Sequence, residues 1–195
     1  MSTIQLNTKD FASQTSSAEP VIASTVTFPA GHCLQVISST KSDTSTKTTD
    51  SFSTIPGTDQ SGSGSVWCAK ITPSSTSSKV LVTVIVHVGH IMDSYPAFIL
   101  YRNAVTLGVA DSITSGTEVT FGGRVGGGDN TDADMNIYSY TYLDSPSLTS
   151  EITYQLTYSS MRTDTREIHI NRSKSVGDAN QMGASSTITL MEIAG

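Results

Sequence analysis

The segment Lys79–His90 constrains the fold more than any other part of the chain, because valine occupies alternate positions through most of it. These residues are Val80, Val82, Val84, Val86 and Val88. Alternate side chains of a β-strand point to the same face of a sheet, and β-branched residues favour strands. We therefore predict a long strand over this segment, with the five valines facing the core together.

Shorter strand patterns recur along the chain between turn residues. They cover His32–Ser39, Val66–Thr72, Pro96–Asn103, Val105–Ala110, Val119–Phe121, Met135–Leu143, Glu151–Ser159, Arg166–Asn171 and Thr187–Ile193. Helical spacing of apolar residues is not convincing in any window of the sequence. Many short strands with long return connections predict an all-β fold, a single Greek-key jelly-roll sandwich.

The composition excludes several classes of protein. Serine and threonine supply 31 and 28 of the 195 residues, charged residues make up 14%, and the net charge is −6. Such an acidic chain has no basic surface for a nucleic acid backbone. The apolar run Val80–Val88 is far shorter than the ~20 residues that cross a bilayer. No secretory signal opens the sequence, so we expect synthesis in a cytoplasm and no membrane insertion.

No motif for catalysis, metal or cofactor binding stands out. His87 and His90 are three residues apart on a predicted strand, so their rings point to opposite faces and cannot share one ion. The elbow G-x-S-x-G and the phosphate-binding G-K-[ST] are both absent from the sequence. Without secretion, Cys33 and Cys68 are expected to be reduced, half-buried thiols. We predict a non-enzymatic protein without a cofactor or a metal.

A glycine-rich segment, Gly122–Asn130, is predicted to be a loop at the end of the sandwich. Loops on rigid sheets commonly carry recognition, which makes the polar side chains in and after this segment candidates for contact with a ligand. The candidates are Arg124, Asp129, Asn130 and Asp132. A solvated loop without a ligand is the alternative.

The first 27 residues are predicted to form an extended N-terminal arm, which leaves residues 28–195 as the head domain. Ile4 and Leu6 alternate as in a strand, and Phe11 is a single large apolar residue further along. These three residues are the predicted anchor to a larger particle, in which the arm would add to the edge of a neighbouring sheet. A disordered tail is the alternative.

The closing strand, Thr187–Ile193, has apolar residues on both faces. A strand of this kind belongs in a sandwich core or at a contact between subunits. We predict a homotrimer, with this strand at the interface. The candidate interface residues are Ile188, Leu190, Met191 and Ile193.

Several segments of the head resemble a family of virion surface proteins from tailed bacteriophages, of the marine and cyanophage type. They are the stretches at 29–44, 71–90, 97–103, 142–156 and 185–195, among which STSSKVLV and STITLMEIAG are the most distinctive together. The opening MSTIQLNT is also similar to the start of such proteins. The resemblance implies a trimeric jelly-roll head of the type found in complement C1q and tumour necrosis factor.

The resemblance also implies a role on the virion surface, as a short tail fibre or a receptor-binding head. Its partners would be other virion proteins of the capsid or tail and a glycan on the host surface. Because no shaft or repeat segment precedes the head in this sequence, a capsid decoration protein held by its N-terminal arm is one alternative. A free carbohydrate-binding module of the C1q type, which would act as a monomer, is another.

Overall fold

The computed structural model describes residues 2–6, 9–14, 21–22, 26–90, 94–124, 135–162, 166–174 and 182–195. In these ranges the regular structure consists of β-strands, and two antiparallel sheets pack face to face as a sandwich. The predicted all-β, jelly-roll-like fold class is therefore confirmed.

Three strands precede the sandwich, β1 (Ser2–Leu6), β2 (Lys9–Gln14) and β3 (Val21–Ile22). They pair antiparallel with one another in the order β1-β2-β3. Among the residues that the structure describes, none of these three strands pairs with a strand of the sandwich. The predicted arm thus has extended backbone, but it folds back on itself instead of running as one strand. Pairing within the segment satisfies backbone N–H and C=O groups that a single strand would leave open.

The remaining strands build the sandwich. They are β4 (Cys33–Lys41), β5 (Ser45–Lys47), β6 (Ser53–Thr54), β7 (Cys68–Ile71), β8 (Lys79–His90), β9 (Ala97–Arg102), β10 (Val105–Leu107), β11 (Phe121–Gly122), β12 (Met135–Asp144), β13 (Ile152–Ser159), β14 (Ile168–Ile170) and β15 (Ser186–Ile193).

The longer strands are ordered as in a jelly roll. In one sheet, here called the β8 sheet, the order is β4-β15-β8, with β12 paired to the far side of β8. In the other, here called the β13 sheet, the order is β10-β9-β13, with β7 beside β13. First and last strands of the head are therefore neighbours, and most neighbours are distant in sequence, as Greek-key connections require.

The core lies between the two sheets, and the valines of β8 occupy its centre. All five are completely buried, which confirms the predicted register of this strand. The β13 sheet packs against them with large side chains that are also buried, including Phe98, Leu100, Tyr154 and Leu156. The bounds of β8 agree with the prediction, and the other predicted strands are each found within a few residues of their expected ends.

The two cysteines are unpaired, as predicted. The prediction that both thiols are half-buried was wrong, because Cys33 is exposed at the start of β4 and Cys68 is buried in β7. Burial raises the pKa of the Cys68 thiol, so this sulfur is held as the neutral form.

Candidate interaction surface

The outer face of the β8 sheet, which points away from the core, carries an uninterrupted row of apolar side chains. Pairing in register places Leu143 of β12 opposite Leu81 of β8, and Leu81 opposite Met191 of β15. Met191 in turn lies opposite Val36 of β4. This apolar row, Val36–Met191–Leu81–Leu143, therefore crosses four strands of one sheet, at positions of one parity in each strand.

The row is accessible in the single chain. Val36 is 53% exposed and Leu143 is 50% exposed at the two edges, and Leu81 and Met191 between them are half-buried. The next row along the strands is uncharged as well, with Ser38, Thr189, Thr83 and Thr141 in register. In that row the hydroxyl oxygens of Ser38 and Thr189 lie 3.2 Å apart, within hydrogen-bond distance.

Charge is almost absent from this face. Among the described outward positions of β8, β12 and β15, one residue is a Lys, Arg, Asp or Glu. It is Lys79, at one end of β8. Further from Lys79, Ile85 and Ile137 add two more exposed apolar side chains. Contacts between proteins have cores that are depleted of charged residues, so this face has the composition of a protein–protein contact.

The four predicted interface residues divide between the two faces of β15. Ile188 and Leu190 are completely buried against the β13 sheet within a single chain, so the prediction that they contact another subunit is wrong. Strand alternation separates them from Met191 and Ile193, which point outward and are half-buried. Met191 belongs to the apolar row, and Ile193 lies next to it beside Cys33 and Lys79.

Glu192, between these two residues, is buried at the edge of the core. Its carboxylate accepts hydrogen bonds from the Ser74 backbone N–H and the Ser74 hydroxyl, both at 2.7 Å, and from Gln35 Nε2. Although burial acts to raise the pKa of Glu192, the hydrogen bonds from Ser74 and Gln35 lower it below its ordinary value. The carboxylate therefore fixes the turn between β7 and β8, a role that the sequence pattern did not indicate.

At the opposite end of the sandwich, the predicted recognition residues are only partly described. Arg124 is exposed just after β11, whereas Asp129, Asn130 and Asp132 lie outside the described residues. The guanidinium of Arg124 lies over the ring of Tyr95, and the guanidinium of Arg162 lies over the same ring. Tyr95, Arg124 and Arg162 are here called the loop-end cluster; two of its three members were not predicted.

The predicted particle anchor is described in part. Ile4 lies in β1 with 64% of its surface exposed, which leaves it available for contact with another protein. Leu6 lies in β1 and Phe11 in β2, and their side chains fall outside the described part of the structure.

Histidines and carboxylates do not converge in the described part of the chain, where no group of three or more His, Cys, Asp or Glu is placed to hold a metal ion. Likewise, the described ranges contain no helix long and apolar enough to cross a membrane. A comparison with protein-family models finds no match for this chain, and a comparison with curated proteins finds none either.

Proposed function

We propose that this chain is a non-enzymatic structural protein of a tailed-phage virion, a homotrimeric head that acts as a short fibre or a receptor-binding tip. The resemblance of the head segments to virion surface proteins supports the virion setting. The jelly-roll sandwich also supports this proposal, because its sheets form a rigid platform and loops on such a platform commonly contact a ligand.

The apolar row on the outer face of the β8 sheet is the observation that supports self-assembly most directly. Exposed side chains such as Val36 and Leu143 lose contact with water when another subunit covers them, which stabilises association by roughly 25 cal/mol per Å² of apolar area. Because the face offers few charges, a partner of the same composition would bury no unpaired carboxylate. A second and third copy of the same chain meet this condition.

Imaging of intact phage particles tests the virion assignment. A small epitope tag is added to the gene for this chain in the phage genome, so that the protein in the particle carries the tag. Antibody fragments bound to the tag are then located by electron cryomicroscopy. We expect density at the tail in a few trimeric copies. Particles without any of the tagged protein would contradict the proposal.

A capsid decoration protein is the second candidate, favoured by the N-terminal strands. Since β1, β2 and β3 pair among themselves and not with the described sandwich strands, this segment is a separate element that could attach to a shell. The same imaging experiment separates the two roles, because decoration requires many copies distributed over the capsid instead of a few at the tail.

A further inference from the structure

The loop-end cluster is set by strand register. Residues Gly122 of β11 and Ser159 of β13 both pair with Ala97, the first residue of β9, from its two sides. Continuing the antiparallel register beyond Ala97 brings Arg124 opposite Tyr95 on one side, and Met161 opposite Tyr95 on the other. The Cζ atoms of Arg124 and Arg162 accordingly lie 5.9 and 5.6 Å from the centroid of the Tyr95 ring.

Hydrogen bonds fix the backbone of both arginine-bearing segments. The Gly123 N–H donates to the carbonyl oxygen of Pro96 at 3.0 Å. On the other side, Met161 has a φ of 52°, a left-handed conformation that is costly for a large side chain. The Met161 N–H donates to Ser159 Oγ at 2.9 Å, and the single hydroxyl hydrogen of Ser160 is shared between the carbonyl oxygens of Thr49 at 2.9 Å and Arg162 at 3.1 Å. Such strain is concentrated at binding sites.

A shallow cavity of about 200 Å³ opens beside the cluster. Its lining is mostly apolar and includes Pro96, Ala97, Val119, Gly122 and Met161, together with Tyr95 and Arg124 of the cluster. The opening is too small for a drug-sized ligand and fits a single ring. An apolar floor suits the C–H face of a sugar ring, and guanidinium groups bind carboxylates and phosphates through two parallel hydrogen bonds.

We propose that this cavity and the loop-end cluster bind an acidic sugar residue of a bacterial surface polysaccharide, whose carboxylate or phosphate is held by Arg124 and Arg162. Each guanidinium has five N–H donors, so it can keep a partner within the protein and still bind the sugar anion. Stacking on Tyr95 restricts both side chains before the ligand arrives. Since the whole chain has a net charge of −6, general attraction of anions does not explain such binding.

This inference rests on the proposed function, because it takes the loop end to face away from the particle. Within the sandwich, the chain enters β4 at Cys33, which pairs with Ile193, and Ile193 pairs with Lys79 at the start of β8. Tyr95 follows the other end of β8. The start of β4, where the N-terminal segment joins the sandwich, and the cluster are therefore at opposite ends of the sandwich.

Isothermal titration of the purified full chain tests the site without the particle. The probes are trigalacturonate, galactose 6-phosphate and neutral galactotriose. We expect one or both acidic probes to bind about tenfold more tightly than the neutral sugar, as expected when a charged hydrogen-bonding group is added. The variant Arg124→Gln changes an exposed residue and should weaken acidic-probe binding about tenfold, and Arg162→Gln should do the same.

The matched control is Lys79→Gln, which removes one exposed positive charge at the opposite end of β8 and should leave the affinity unchanged. Equal loss in Lys79→Gln and Arg124→Gln would show general electrostatic attraction and overturn the site. Equal affinity for acidic and neutral probes, or no binding of any probe, would overturn it as well. Either failure leaves the virion proposal standing on its own imaging test.

Discussion

Asp144 at the end of β12 forms a salt bridge with Arg102 of β9 and thereby joins the two sheets of the sandwich. Nη1 of Arg102 lies 2.8 Å from Oδ1 and 3.0 Å from Oδ2 of Asp144. The buried hydroxyl of Tyr154 donates to the same carboxylate at 2.7 Å. This carboxylate has partners from two neighbouring strands of the β13 sheet, so it fixes the distance and register between the sheets.

Removal of this carboxylate should destabilise the head. In Asp144→Ala, Arg102 loses its counter-ion and the Tyr154 hydroxyl loses its acceptor, at a cost on the order of 3 kcal/mol. Tyr154→Phe keeps the ion pair and should cost about 1 kcal/mol. Urea unfolding measures both, with Asp111→Ala at an exposed carboxylate as the control. Equal stability of Asp144→Ala and the control would contradict the structural role.

The centre of the core gives a second prediction. Val84 is completely buried between Val82 and Val86, and an aspartate there would place an unpaired charge in the core. We expect Val84→Asp to cost several kcal/mol, enough to abolish cooperative unfolding monitored by circular dichroism. Val105→Asp is the control, since Val105 is 50% exposed in β10. A native-like Val84→Asp protein would show that the register of β8 is incorrect.

Acid should weaken the fold through His169. Burial, together with the positive charges of Arg172 and Lys174, lowers the pKa of His169 from 6.5 to about 4, although Glu167 lies 3.3 Å from its ring. As the pH falls, the imidazole of His169 is protonated in the unfolded chain before it is protonated in the folded chain. The stabilisation is therefore complete above the pKa of this histidine in the unfolded chain, and it is lost as the pH falls from 6.5 towards 4.

The pH experiment compares the free energy of unfolding at neutral pH and near pH 5. We expect a loss of roughly 1–2 kcal/mol from this histidine. Replacement of the histidine in His169→Asn should remove most of that difference between the two pH values, whereas His32→Asn at an exposed site should not. An unchanged pH dependence in His169→Asn would refute the assignment.

Deletion of residues 2–27 tests the role of the N-terminal segment. Because its strands pair with one another, the head should still fold and keep its oligomeric state without them. We expect the truncated protein to be missing from purified phage particles, as judged by mass spectrometry of virion proteins. Incorporation at the normal copy number would show that the sandwich itself carries the attachment site.

Local pattern was sufficient for the strands and insufficient for the sites. Alternation in Lys79–His90 predicts both the bounds of β8 and the buried face, because a strand with one buried side repeats every second residue. The same rule shows that Ile188 and Met191 point to opposite faces of β15. It does not show which of the two faces is buried in the core, and the sequence pattern did not indicate this because both faces are apolar. The juxtaposition of Tyr95 with Arg124 and Arg162 depends on pairing between strands distant in sequence, for which a single sequence carries no signal.

The molar mass of the purified chain in solution tests the proposed assembly most directly. Light scattering coupled to size exclusion at micromolar concentration should give about three times the 20.6 kDa of one chain. The variant Leu81→Lys places a charge in the apolar row and should shift the mass to that of one chain, while Val105→Lys outside the row should not. A wild-type mass of one chain would contradict the trimer and with it the role of the β8 sheet as a subunit interface.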